Sequence, residues 1–396
     1  MRRPGFPAAP AARAAALACS SVLAVCALLA AAGCSGGGGG PRTAPASPAG
    51  PSLSSGGGTV PAAPARGSVE VVRTVATKLS SPWGVAALPG GDLLVGSRDT
   101  GRIVQVSARD GGRTELGTVP GVVHQEEGGL LGLALSPGYG SDHQLYAYFT
   151  TDSDNRIARL RVDDRQPPGR RLGAPDTILR GIPKGPIHNG GRIAFGPDGM
   201  LYAGTGETGA HRELAQDAGS LGGKILRVTP DGRPAPGNPR PGSPVYSSGH
   251  RNVQGLAWDA GGRLWATEFG QDTWDELNLI QPGGNYGWPA VEGRAGRRGY
   301  LDPAEQWRPA DASPSGLACV KGSLWMAALR GERLWRVPLA GSRPAAAPQD
   351  FLRGTYGRLR TVLPAPDGGL WLTTSNTDGR GRPTAEDDRL LLLRVE

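Results

Sequence analysis

A short strand pattern recurs six times along the chain and constrains its fold more than any other feature. Each copy begins with an apolar run, and the runs fall at Val85, Leu133, Ile193, Leu256, Leu317 and Val362. In most copies a Pro/Asp/Gly turn leads to a second run with strand character, at residues 92–95, 144–148, 200–203, 263–266, 323–326 and 369–372. Apolar runs joined by such turns predict β-hairpins.

The spacing of these hairpins indicates how they assemble. Successive copies lie roughly 45–63 residues apart, as in propeller blades with loop insertions. Several copies also have a third run, at residues 102–106, 156–160, 224–228 and 333–337. No segment has the pattern of a long capped amphipathic helix, which argues against an α/β fold. The sequence predicts an all-β fold over residues 68–396, a six-bladed β-propeller of four-stranded antiparallel blades, closed by pairing of residues 69–72 with 390–393.

The first 67 residues differ in composition from the rest. Residues 1–33 combine a basic head with an apolar run, as in a secretory signal peptide. Residues 30–35 resemble a bacterial lipobox, which predicts that Cys34 becomes lipidated and that the exported protein is held at the outer face of the cell membrane. An uncleaved anchor and simple secretion remain alternatives. Residues 34–67 are nearly all Gly, Ala, Pro and Ser, which predicts a disordered tether.

Cysteine content argues against an internal disulfide, and the distribution of charge argues against nucleic-acid binding. Cys319 is the one cysteine expected in the mature domain, so no internal disulfide is predicted, and its apolar neighbours favour a buried thiol. The formal net charge is +8, but the arginines are scattered and lack interleaved aromatic residues. Nucleic acid is therefore not an expected partner.

Four motifs suggest chemistry on this scaffold. They occupy residues 188–192 (His-Asn-Gly-Gly-Arg), 249–256, 275–278 and 285–288. His188 and Asn189 stand directly before a glycine pair that opens a strand, a setting that suits His188 as a general base. Together the motifs resemble the glucose/sorbosone dehydrogenase family, the PQQ-dependent soluble sugar dehydrogenases, over residues 79–396.

This resemblance implies a reaction. The chain would oxidise aldose sugars at the anomeric carbon to the lactone and pass electrons through PQQ to an acceptor whose identity is open. His188 would be the general base, because a neutral imidazole accepts a proton at neutral pH. Glu207 falls where the family keeps an aspartate that orients the base.

The resemblance also implies the ligand contacts. PQQ carries three carboxylates, which arginine forks suit; the matching positions are Arg251, Asn252, Arg330, Arg358, Arg360 and, where glucose-oxidising members keep glutamine, Glu127. A calcium ion would activate the quinone, held by the backbone carbonyls of Gly270 and Gln271. Asp275, Glu276 and Tyr286 correspond to a second calcium region.

Two other functions stay open at this stage. The chain could be a calcium-dependent lactonase-type propeller hydrolase, or a non-catalytic propeller used for binding. A lactonase needs no arginine cluster for a tricarboxylate, so Arg251, Arg358 and Arg360 favour the sugar dehydrogenase.

Overall fold

The computed structural model describes residues 61–396, which form six antiparallel sheets arranged as the blades of a β-propeller. The first strand of each blade contacts the first strand of the next, and that of blade six contacts that of blade one. This closed ring confirms the predicted fold class. The predicted signal peptide, Cys34 and most of the predicted tether lie outside the described residues.

The first three blades follow one another along the chain. Blade one consists of β2 (Pro82–Ala87), β3 (Leu93–Ser97), β4 (Arg102–Val106) and β5 (Arg113–Thr118). Blade two consists of β6 (Leu130–Leu135), β7 (Gln144–Thr150), β8 (Asn155–Arg161) and β9 (Asp176–Ile182). Blade three consists of β10 (Ile193–Phe195), β11 (Leu201–Gly204), β12 (Lys224–Val228) and β13 (Val245–Ser248).

The last three blades include the two irregular ones. Blade four consists of β14 (Val253–Trp258), β15 (Leu264–Glu268), β16 (Asp275–Leu279) and β17 (Glu305–Trp307). Blade five consists of β18 (Pro314–Val320), β19 (Ser323–Ala328) and β20 (Arg333–Ala340), with β21 (Arg343–Pro344) and β22 (Gln349–Phe351) both paired to β20. Blade six consists of β23 (Leu359–Pro364), β24 (Leu370–Thr374), β25 (Leu390–Val395) and β1 (Val69–Ala76).

Helical structure in the described part is limited to single turns. These are α1 (Tyr139–Asp142) and two 3₁₀ segments (Arg212–Ala215 and Pro366–Gly368). Within residues 61–396 no helix is long and apolar enough to cross a membrane.

The blades are held together by apolar clusters between neighbouring sheets. One cluster joins Ile103 of blade one to Leu130 and Leu145 of blade two, all three fully buried. Because each sheet needs a neighbour to cover its apolar surface, the ring is stable as a unit. Cys319 lies half-buried in β18, and burial raises the pKa of its thiol to about 11. The thiol is thus less buried than predicted, and its raised pKa disfavours the reactive thiolate.

Strand β1 closes the ring. It pairs antiparallel with β25, with Val69 opposite Val395 and Val71 opposite Leu393, so blade six combines the two ends of the domain. This confirms the predicted closure.

A segment before β1, residues 63–68, here called the N-terminal strap, is bound to blades five and six. The backbone nitrogen of Ala63 donates to the oxygen of Leu339 at 2.8 Å, and the Pro64 oxygen accepts from Arg336 at 2.8 Å. Gly67 donates to the Gln349 side chain at 2.9 Å. Residues 63–67, which were expected to belong to the tether, are therefore packed, because blade five offers these groups hydrogen-bond partners.

Candidate active site

A cavity of about 590 Å³ opens at the end of the propeller where the innermost strands begin, here called the cavity end. The segments at the start of all six innermost strands contribute lining residues: Trp83, Glu127, His188, Arg251, Ser313 and Arg358. Loops that meet at one end of a propeller bring side chains from distant parts of the sequence together. The predicted base and all four predicted arginines line this cavity.

His188, which lines the cavity, forms a close pair with Glu207, which is buried and does not line it. Their Nδ1 and Oε1 atoms are 2.6 Å apart, and the side chains are only 9% and 1% exposed. A carboxylate accepts hydrogen bonds and donates none when ionised, so this contact keeps the proton on Nδ1 and leaves Nε2 as the acceptor. Glu207 is longer than the aspartate that the family keeps at this position, and its carboxylate still lies within hydrogen-bond distance of the imidazole ring.

The backbone that presents His188 is held by a second carboxylate. His188 has a left-handed backbone, with φ at 55°, and its nitrogen donates to Glu127 Oε2 at 3.0 Å. Two residues on, Gly190 has φ at 62°, and a Cβ there would lie 2.5 Å from the Cα of Thr205. Only glycine permits this approach, which explains the glycine pair after the histidine.

Glu127 also forms an ion pair across the cavity mouth. Its Oε1 lies 2.5 Å from Nη1 of Arg380, which comes from the loop between β24 and β25 of blade six. Glu127 thus lines the cavity, as expected of a ligand contact, but both of its oxygens already have partners in the chain.

Arg251 and Asn252 precede β14. Arg251 lines the cavity and donates from Nη1 to the oxygen of Phe269 at 3.2 Å, while its Nε is buried without a partner among the described residues. Asn252 is fully buried and does not line the cavity; its Oδ1 accepts from the nitrogen of Gly190 at 2.9 Å. Its Nδ2 is also buried without a described partner. The amide oxygen of Asn252 fixes the turn after His188, and its expected contact with the cofactor stays a prediction.

Two further predicted arginines converge on Asp378. Oδ2 of that carboxylate lies 2.9 Å from Nη2 of Arg358 and 3.2 Å from Nη2 of Arg360. Burial raises the pKa of Asp378, but the two guanidinium groups outweigh it, so the net shift is downward. Burial lowers the pKa of Arg360 to about 10, which leaves it charged at neutral pH. Together the three residues carry a net positive charge at the cavity wall.

Arg330, the remaining predicted arginine, lines the cavity from the turn before β20 and is exposed. Within residues 61–396 it has no ion pair or hydrogen bond from its side chain. Its guanidinium is therefore available to an anion in the cavity.

The residues predicted to hold calcium near the quinone also line the cavity. Gly270 and Gln271 are placed there by the loop after β15, and this loop is fixed by carboxylates. Asp275 Oδ1 accepts from the nitrogen of Gly270 at 2.9 Å, and Glu292 Oε1 accepts from that of Gln271 at 2.7 Å. Burial raises the pKa of Asp275 to about 7.

The predicted second calcium region is organised by hydrogen bonds within the chain. Glu276 is buried and accepts from the nitrogen of Gly293 at 2.7 Å and from Asn278 at 3.0 Å. The Tyr286 hydroxyl donates to the Leu279 oxygen at 2.7 Å, away from these partners. In the described part of the chain, no three His, Cys, Asp or Glu side chains are grouped as a metal site. Glu276 and Tyr286 thus have hydrogen-bond partners within the chain, and their part in a second calcium region stays a prediction.

Several cavity residues were not singled out from the sequence: Trp83, Arg98, Gln254, Asp378 and Arg380. Trp83 and Gln254 are each the second residue of an innermost strand. Aligning the six repeats and selecting that position would have found them. Arg98, Asp378 and Arg380 follow the second strands of blades one and six, whose loops share no motif.

The chain is similar to enzymes of known type over nearly all of its propeller. The family model described as Glucose / Sorbosone dehydrogenase matches residues 79–392. A PQQ-bound aldose sugar dehydrogenase from Streptomyces coelicolor is 68% identical, with a TM-score of 0.84, over 85% of this chain and all (100%) of that one.

Two more distant proteins show the same likeness. An oxidoreductase (glucose dehydrogenase) from Thermus thermophilus is 46% identical, with a TM-score of 0.74, over 83% of this chain and 100% of that one. The aldose sugar dehydrogenase YliI of Escherichia coli K12 is 29% identical over 80% of this chain and 92% of its own length. The six-bladed ring, the paired histidine and the family match together establish that this chain belongs to the glucose/sorbosone dehydrogenase family.

Proposed function

We propose that this protein is a PQQ-dependent dehydrogenase that oxidises aldose sugars at the anomeric carbon to the lactone. The observation that carries the proposal is the His188–Glu207 pair, 2.6 Å apart, in the wall of a cavity lined by arginines from several blades. The Streptomyces coelicolor relative, an aldose sugar dehydrogenase with bound PQQ, supports the same assignment.

The cavity suits an anionic aromatic ligand. PQQ would supply the acceptor for the two electrons that leave the sugar. Arg251, Arg330, Arg358 and Arg360 would hold its carboxylates, and the free Nε of Arg251 supplies a donor that lacks a partner in the described chain. A cavity of about 590 Å³ is within the range of cofactor sites.

The protein's own part in the reaction is to move a proton. Nε2 of His188 accepts the proton of the hydroxyl on the anomeric carbon while Glu207 keeps the other ring nitrogen protonated. The imidazolium that forms is stabilised by the adjacent carboxylate. Glu127 fixes the backbone of His188, so the ring is presented in one orientation.

Calcium belongs to the same proposal. The carbonyl oxygens of Gly270 and Gln271 would hold the ion, because a hard cation prefers oxygen ligands and both residues line the cavity. Asp275, beside them, would be driven toward its ionised form by a nearby cation.

A reconstitution experiment tests the function. Purified protein would be titrated with PQQ, with and without calcium, while absorbance is followed, and then assayed with a redox dye over a panel of aldoses. We expect saturable binding and aldose-dependent dye reduction that requires PQQ, with lactone as the product. Saturable PQQ binding without oxidation of any aldose would overturn the proposed reaction.

We also propose that the chain is exported as a lipoprotein anchored through Cys34, on the basis of residues 1–35 alone. Fractionation of cells that express the wild type or Cys34→Ala tests this. Anchoring predicts that the wild type is in the membrane fraction and that the variant is released; equal membrane association of both would contradict it.

A further inference from the structure

Arg192 is a buried cation in the centre of the ring. It directly precedes β10 and is 8% exposed. Its Nε donates to the backbone oxygen of Gln254 at 2.8 Å, and its Nη2 donates to Thr361 Oγ1 at 3.1 Å. Both acceptors are neutral.

Among the described residues, no carboxylate balances the charge of Arg192. Within residues 61–396, Arg192 forms no ion pair, and the charged group that acts on it most is another cation, Arg360. A buried charge without a partner is unfavourable unless something else compensates it. The guanidinium also lies over the ring of Trp83, 4.4 Å from its centroid, which compensates only in part.

Arg192 lies directly behind the floor of the catalytic cavity. Trp83 and Gln254, which it contacts, line that cavity, whereas Arg192 itself lines a second cavity of about 430 Å³ at the opposite end of the channel. A charge in this position acts through one aromatic ring on whatever occupies the catalytic cavity. The electrostatic attraction between this charge and an anion is stronger through the protein interior than through water, because the interior has a lower dielectric constant.

We propose that Arg192 is a positioning residue for the anionic cofactor, supplying from behind Trp83 a positive charge that the ligand's carboxylates balance. This inference rests on the proposed function for the identity of the ligand. It assigns a role to the arginine of the His-Asn-Gly-Gly-Arg motif, which contacts neither the base nor, directly, the cavity.

The test compares two buried arginines. Arg336 is 1% exposed, forms no ion pair in the described chain, donates to neutral oxygens of Gln349 and Pro64, and lies 5.8 Å from the centroid of Trp325. Like Arg192 it is buried, donates to neutral acceptors and lies over a tryptophan ring, but it does not line the cavity. Arg336→Met is therefore a matched control for Arg192→Met.

The readout is ligand binding by the purified protein. The dissociation constant of PQQ would be measured by absorbance titration for the wild type, Arg192→Met, Arg192→Lys and Arg336→Met. We expect Arg192→Met to weaken binding about tenfold or more, which corresponds to about 1.4 kcal/mol. Arg192→Lys should retain most of the affinity, since it keeps the charge, and Arg336→Met should bind as the wild type does.

A second probe separates this inference from the proposed reaction. Benzene-1,3,5-tricarboxylate is a tricarboxylate without redox chemistry, and its binding is measured as a rise in unfolding temperature. If it stabilises the wild type and Arg336→Met but not Arg192→Met, the inference stands even if no sugar is oxidised.

Equal binding of PQQ by Arg192→Met and Arg336→Met would overturn the inference while leaving sugar oxidation intact. So would a wild type stabilised by neither ligand. Should Arg192→Met not fold, Arg192→Gln is judged by the same comparison.

Discussion

Three fixed contacts hold His188, the proposed general base, and the turn that presents it. Glu207 holds Nδ1, Glu127 holds the backbone nitrogen, and the glycine at 190 allows the turn to pack against Thr205. Each contact removes a degree of freedom from the imidazole before substrate arrives. Positioning of this kind converts a surface histidine into a directed proton acceptor.

Replacing the base separates binding from turnover. We expect His188→Ala to reduce turnover by about 10²–10⁴-fold, the usual contribution of a general base. Affinity for PQQ should stay near that of the wild type, because the arginines are untouched. Steady-state assay with saturating PQQ, together with absorbance titration, measures both; a variant that turns over at the wild-type rate would refute the role of His188.

Replacing the partner of the base tests orientation. Glu207→Gln removes the charge and offers an amide donor that favours the wrong tautomer, so we expect a loss of about 10–100-fold in kcat. Glu207→Asp keeps the charge and should lose less. If the glutamine variant matched the wild type in kcat, the carboxylate would have no part in catalysis.

A third single-residue change probes the cofactor contacts. Arg358→Ala should raise the dissociation constant of PQQ about tenfold, or about 1.4 kcal/mol, by removing a charged donor from the cavity wall. Arg353→Ala is the control, because that side chain is 66% exposed, pairs with Asp350 and lies outside the cavity. Unchanged PQQ saturation in Arg358→Ala would remove this contact from the site.

Among the strands, β16 carries two buried carboxyl groups whose titration affects stability. Burial raises the pKa of Asp275 to about 7, and burial together with the neighbouring Glu268 raises that of Glu276. The folded protein therefore holds protons that the unfolded chain releases near pH 4. Stability from these groups is fully present below that pH and is lost as pH rises through neutrality.

This gives a prediction for the protein without ligands. The free energy of unfolding should fall as pH rises from about 5 to 8. Each group contributes up to about 1.4 kcal/mol per pH unit to this decrease. Glu276→Gln should flatten the slope, whereas Glu386→Gln, at a side chain 53% exposed, should not. Chemical denaturation across this range provides the measurement; identical slopes in both variants would contradict the assignment.

The sequence identified strands more readily than it identified the contacts between site residues. The apolar run at Leu133 sits between turn residues, so local pattern alone identified it as a strand. Arg380 meets Glu127 across 253 residues of sequence. Its loop has no periodicity, so only the closed ring brings the two together. Asn252 was predicted as a cofactor contact from its motif, but a motif does not give the direction of the amide, whose oxygen in the structure accepts from Gly190.

For the molecule as a whole, closure of the ring determines stability. A chain that begins at Lys78 lacks β1 and leaves β25 as an unpaired edge, so we expect poor solubility and a much lower unfolding temperature. A chain that begins at Val69 keeps β1 and lacks the strap, which should cost about 1–3 kcal/mol through the lost partner of Arg336. Soluble yield and thermal unfolding compare the two, and equal stability would mean that β1 is dispensable.

The position of the strap also affects the orientation of the protein when it is immobilised on a solid support. It meets blade five at Leu339, the far end of β20, whereas the cavity residue Arg330 lies just before that strand begins. The polypeptide thus enters on the side remote from the opening. An electrode or bead coupled upstream of Ala63 would leave the opening directed toward bulk solution, where sugar and a soluble mediator arrive unobstructed.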